Sequence, residues 1–328
     1  MTATLAAPSR EPVLTKITRS PALPAFVGAL VIWLATWLVS GNGLWGTLAI
    51  GASVATYLVM VGIGQLFVIT SGNGGIDLSV PFVMTISAYL GSQVMNGDDG
   101  NLVLGLIVAI AVGIGAGLVN ALLVEVVGMP PLVGTLAVGF TIQTAVLVFS
   151  SNSTGVPSPG LSSFVDGNWG PFPIFAIFGV LLTIVFAVLL KRTSYGRRTE
   201  AVGQSATAAR LAGIDPRLVR AGAFVLSAAL AGLAGILLAA HAGGPSLELG
   251  TPFQLESIAV VVLGGSLIAG GRGVVPGVWA GAMLLTLLVT LVNVAHVSSA
   301  VQNIVEGLLI VVVLAVARNP AFGRSWTR

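Results

Sequence analysis

Few side chains in this sequence can do chemistry, and none are spaced for catalysis. There is no cysteine, which removes thiol nucleophiles, disulfides and thiolate metal ligands. His241 and His296 stand apart from each other and from any metal-ligand spacing. Asp77 has no second intramembrane aspartate, and no serine–histidine pairing is evident, so an intramembrane hydrolase is set aside. A Walker-type phosphate loop needs lysine directly after glycine. The two lysines, Lys16 and Lys191, follow Thr15 and Leu190, so no such loop exists in this polypeptide. No cofactor is expected in the chain itself.

What remains is recognition. Gln65, Asn120, Gln143 and Asn293 lie within long apolar runs. A carboxamide both donates and accepts, so it can match the hydroxyls of a polar solute without burying a charge. Each of the four can equally serve as an interhelical hydrogen bond, worth about 0.6 kcal/mol in lipid. Intramembrane carboxylates cost roughly 2.5–3.5 kcal/mol at mid-span, so each asks for a role. Asp77 falls where a helix starts and can cap it; Glu125 and Glu256 fall near run ends; Glu306 lies deeper.

The elements that position these residues are membrane helices. The chain has 328 residues, 55% hydrophobic and 8% charged, with a mean hydropathy of +1.02. Soluble domains carry about 25% charge, so lipid must be the solvent for much of this surface. The pI of about 9.8 accompanies a net charge of only +3, with basic residues set between apolar runs. That pattern fits a membrane face and not a nucleic-acid surface. At about 20 residues per span, ten are expected: 22–40, 47–70, 75–95, 102–126, 131–150, 172–190, 218–240, 253–269, 275–296 and 300–317. The run at 253–269 is the shortest, closed early by Gly264 and Gly265, and either spans or re-enters.

With ten spans all 14 Lys and Arg residues fall on one side, in the leading tail 1–21, the loop 191–219 with Arg220 just after it, the turn at Arg272 and the trailing tail 318–328. The positive-inside rule makes that side cytoplasmic, with both termini inside and a transmembrane domain over 22–317. Asp98, Asp99, Asp166 and Glu248 fall in the opposite loops, of which 151–171 is the longest, a docking surface or a plain connector. The first apolar stretch is longer than a signal-peptide core and is expected to be retained.

The 43 glycines fall largely within spans, where small residues let helices approach closely. Ser71–Gly75 and Gly270–Gly273 instead interrupt apolar runs, one in each half, and paired breaks point to an inverted repeat with discontinuous helices. The basic loop has its own punctuation. Ser205 can cap a short helix that Gly213 ends, and Asp215-Pro216 starts the next.

Three stretches resemble the permease subunits of bacterial ATP-binding-cassette importers for ribose, xylose, galactose and related monosaccharides. The first is Gly74-Gly75-Ile76-Asp77-Leu78-Ser79-Val80. The second is Tyr195-Gly196-Arg197 with Ala201-Val202-Gly203 and Ala208-Ala209-Arg210-Leu211-Ala212-Gly213-Ile214. The third runs from Ile258 through Leu263-Gly264-Gly265 to Gly270-Gly271-Arg272-Gly273. The resemblance covers most of 45–317. It implies an all-α polytopic importer core and a monosaccharide delivered by a periplasmic binding protein. It also implies a second permease subunit, identical or paralogous, and two ATP-binding domains that hold ATP and Mg. Gly203, Ala208, Ala209, Arg210, Leu211 and Gly213 then belong to a coupling helix seated on the ATPase. Gly75, Asp77, Ser79, Gly264, Gly265 and Arg272 are structural motif positions. Departures from the family pattern occur at Glu306 and after Pro130-Pro131. The same architecture importing branched-chain amino acids, nucleosides or another polar solute stays open, as does an ion-coupled carrier.

Overall fold

The computed structural model describes residues 22–41, 43–151 and 155–294, with Ile304, Gly307 and Leu308. Lipid offers no partner for backbone polar groups, so a chain in it must pair them internally, and helices do so within one segment. In chain order they are α1 (Leu23–Ser40), α2 (Leu44–Thr70), α3 (Val80–Met95), α4 (Leu102–Ala121) continued by a π turn (Leu122–Val126), and α5 (Pro131–Ser150). Next come α6 (Pro159–Asp166), the two-residue strands β1 (Asn168–Trp169) and β2 (Phe172–Pro173), and α7 (Ile174–Arg192). The rest are α8 (Ser194–Gln204), α9 (Ala206–Leu211), α10 (Pro216–Ala242), α11 (Phe253–Leu263) and α12 (Val275–Val294). Among the described residues six helical segments are long and apolar enough to cross a membrane: α2, α4 with its π turn, α5, α7, α10 and α12. The spans expected at 22–40, 75–95 and 253–269 appear as shorter apolar helices. The span expected at 300–317, with Glu306, lies outside the described residues, as does His296.

Two 27-residue helices, α2 and α10, form the centre and are buried on most sides. They run antiparallel: Gly64 of α2 meets Ser227 of α10, and Tyr57 lies 6.0 Å from His241. Each is followed by a non-helical stretch, a short helix and a 20-residue helix. The packing repeats with the same exchange. Where α10 packs on α3 and α4, α2 packs on α11 and α12, and the pairs α3–α4 and α11–α12 match. That exchange is the contact pattern an inverted repeat over α2–α4 and α10–α12 would give.

Both short helices are discontinuous. α3 does not begin near Gly75: positive φ at Gly72, Asn73 and Gly74 keeps 71–79 out of a helix, and Pro81 opens the helix at its first turn. That stretch climbs alongside α10 until Asp77 reaches Ser227. Ser227 lies eleven residues into α10, about 16 Å at the helical rise. On the other side, 243–252 descends until Gly250 rests on the Pro81 carbonyl and its N–H donates to Thr85 Oγ1 (3.3 Å). The two short helices therefore start close together within the bundle and run to opposite ends. The breaks at Ser71–Gly75 and Gly270–Gly273 are not equivalents in this repeat, because one precedes α3 and the other follows α11. They touch each other instead: Gly271 N–H donates to the Thr70 carbonyl (2.9 Å).

Candidate functional site

Two assemblies gather the polar and motif residues. The first is a polar knot within the bundle. Asp77 is fully buried, and its Oδ1 accepts from Ser79 N–H (3.0 Å), Ser79 Oγ (2.6 Å) and Asn120 Nδ2 (3.4 Å). Its Oδ2 accepts from Ser227 Oγ (2.9 Å), and Asn120 Nδ2 also donates to Ser79 Oγ (2.8 Å). Gln65 sits against the Asp77 peptide, its oxygen accepting from N–H (3.2 Å) and its nitrogen donating to the carbonyl (3.3 Å). Thr135 Oγ1 accepts from Leu78 N–H (3.0 Å). The knot thus ties α2, α4, α5 and α10 to the non-helical stretch before α3. A buried carboxylate is tolerable only with its lone pairs satisfied in this way. Asp77 does not cap α3 through its own N-cap position; it forms a turn onto Ser79, and Ser79 makes no side-chain cap bond.

Gln143 and Asn293 are placed elsewhere. Gln143 is exposed on α5 and lines a small cavity, and Asn293 is exposed in the last turn of α12. Of the four amides, the structure brings together only Gln65 and Asn120.

The second assembly lies at the basic end. Thr193 Oγ1 accepts from Gly196 N–H to start α8 (3.2 Å), and Ser205 Oγ accepts from Ala208 N–H to start α9 (3.2 Å). Gly213 ends that elbow at φ +78°, where L residues other than glycine are strained, and Ile214 N–H closes back on the Ala209 carbonyl (2.9 Å). Asp215 Oδ1 then accepts from Arg217 N–H (2.9 Å), capping α10 ahead of Pro216. Beneath the elbow, Ala209 packs with Val202 and Val219 against Tyr195 and Ile214. Burial pushes the Tyr195 phenol up to about 12, and its OH donates to the Val219 carbonyl. Ala208, Arg210 and Gly213 face outward with Leu211, which is 87% exposed.

Gly203, unlike those four, faces inward. A Cβ there would lie 1.9 Å from the Thr70 carbonyl and 2.4 Å from Gly271 N, so α8 is clamped onto both breaks at once. Gln204 Nε2 donates to the Gly271 carbonyl (3.2 Å), and Glu200, paired with Lys191 at 2.5 Å, accepts from Gly273 N–H (3.4 Å). Gly75 is equally confined, its Cβ position 2.7 Å from the Val68 carbonyl. Gly264 crosses Gly277 backbone to backbone, Gly265 turns the chain at φ +82°, and Arg272 is exposed.

Sequence reasoning did not single out Ser227, Thr135, Glu200 or Gln204. The ion pair of Arg220 with Glu125 (3.6 Å) was also missed. Both side chains are largely buried, and Arg220 Nε also donates to the Ser71 carbonyl (3.5 Å). The one available signal was Arg220 itself, a charge placed inside the start of an apolar helix.

Comparison with known proteins follows this geometry. A family profile described as "Branched-chain amino acid transport system / permease component" matches residues 47–314. The chain is similar to the ribose import permease protein RbsC of Bacillus subtilis, 33% identical over 264 residues, covering 79% of this chain and 81% of that one. It is similar to the probable ABC transporter permease protein y4mJ of Sinorhizobium fredii, 30% identical over 94% of this chain and 92% of that one. The fructose import permease protein FruG of Bifidobacterium longum is 28% identical over 89% of this chain and 90% of that one. No solved structure matches.

Proposed function

Given that this chain belongs to the family of ABC-importer permease components, we propose that it is the membrane subunit through which a monosaccharide enters a bacterial cell. The energy comes from ATP hydrolysed on a separate subunit. The names of its relatives support a sugar cargo: ribose, fructose, galactofuranose and allose. Importers of this kind pair two permease subunits with two ATP-binding domains and a periplasmic solute-binding protein. The basic end faces the cytoplasm in this reading, with ten spans over 22–317 and tails 1–21 and 318–328 inside. The loop 191–219 carries the coupling elbow, and 151–171 lies outside.

One observation carries the mechanism. The elbow offers an exposed apolar tip to a partner, while its neighbouring turn, at Gly203, is pressed onto both membrane breaks. A push on Leu211 and Arg210 is thereby delivered to the stretches that lead into α3 and out of α11. Asp77 and its amide and hydroxyl partners hold the bundle centre, and no proton relay is needed for ATP-driven transport. The family description favours a second cargo, branched-chain amino acids, and the ligand bound by the partner binding protein decides between them.

Substituting Arg210→Ala or Gly213→Val in the assembled importer is expected to uncouple hydrolysis from uptake. Uptake in vesicles falls about tenfold, the loss of roughly one charge-assisted contact, while the ATPase stays bound and active. Normal uptake in both variants with the ATPase attached removes the coupling role.

A further inference from the structure

The segment 247–251 reaches into the bundle, and what it meets there is chemically distinctive. Around the start of α3 it closes a cavity of about 70 Å³ lined by Pro81, Phe82, Thr85, Gln143, Glu248 and Thr251, with leucines at its edge. Phe82 forms its aromatic wall, backed edge-on by Phe140 at 5.8 Å. Glu248 Oε2 accepts from Thr251 Oγ1 (2.8 Å), and both residues line the cavity. Among the described residues the Gln143 amide has no hydrogen-bond partner, so two donors and an acceptor are unused.

Depth makes this unusual. Gly250 sits on Pro81, the second residue of a 16-residue helix that rises to the acidic end, so the cavity lies about 20 Å below that end. A carboxylate and a bare amide exposed at that depth are costly against lipid and belong on a water-filled or partnered face. Ligand pockets usually hold roughly 300 Å³ or more, so the cavity is too small to be a complete site.

We propose that this cleft is half of a sugar-binding station on the import path, completed by the second permease subunit facing it. The inference rests on the monosaccharide reading above. An aromatic wall receives the C–H face of a sugar ring, while a carboxylate and a carboxamide lining the same cavity match hydroxyls, one accepting and the other doing both. A single carboxylate beside a ring and an amide suits a neutral polyol better than a metal cation, which gathers several oxygens.

The test uses the whole importer in vesicles with its binding protein and ATPase, and radiolabelled ribose, fructose and allose as probes. Gln143→Leu and Glu248→Gln are expected to lower uptake of the transported sugar about tenfold and to change the ratio between sugars. A merely structural defect scales all sugars alike. Since the chain has no cysteine, Gln143→Cys adds a single thiol. It is expected to react with a water-soluble maleimide and to be protected while sugar is being transported. Unaltered sugar ratios in both variants, or a thiol that reacts only with a lipid-soluble reagent, overturn the station. Failure of the unsubstituted importer to take up any of the three sugars overturns the cargo reading as well, which separates the two failures.

Discussion

At the scale of single residues, the polar knot is the most consequential arrangement. Ser227 donates to one oxygen of Asp77 across 150 positions of sequence. Ser227→Ala leaves that oxygen buried and unpaired, at about 1–3 kcal/mol. The thermal midpoint of the purified protein is expected to fall, and to fall less when Asp77 has already been changed to Asn. Equal losses in both backgrounds would show that the two side chains do not act as a pair. Asp77 was visible in the sequence because a carboxylate in an apolar run is rare. Ser227 was not, because a serine in an alanine-rich helix reads as a small packing residue until its neighbours are known.

Among elements, the elbow and its glycine clamp respond differently to substitution. Ser205→Ala removes a single cap and destabilises α9 by about 0.5–2 kcal/mol, with the loss confined to faster hydrogen exchange over the elbow. Gly203→Ala drives a methyl into the Thr70 carbonyl and Gly271, an overpacking of about 1–3 kcal/mol that lowers the melting midpoint of the whole bundle. A silent Gly203→Ala would mean the clamp is loose. The caps at Ser205 and Asp215 and the stop at Gly213 were legible because they obey rules a few residues long. The half-length of α3 was not, because 75–95 is apolar whether it spans as a helix or first climbs as extended chain. The shortness of 253–269 gave the one hint that α11 also stops short, and 243–252 still read as an outer loop, although it dips to Pro81.

For the whole molecule, charge asymmetry carries the orientation. With no native thiol, Ala208→Cys and Trp169→Cys each report one end; Trp169 is 77% exposed beside the hairpin at the acidic end. An impermeant reagent on intact cells is expected to label position 169 and spare position 208 until the membrane is opened. Labelling of position 208 from outside would reverse the topology and remove the ATPase from reach. The expectation rests on the one-sided placement of the arginines in the ten-span reading, since lipid penalises misplaced charge.

The meeting of Gly250 with Pro81 has a further mechanical reach. The chain leading to one short helix and the chain leaving the other are both gripped at Gly203, while the starts of those two helices lie against each other at Pro81 and Gly250. In the importer proposed above, a displacement entering at the elbow would be carried by two struts that meet at one point.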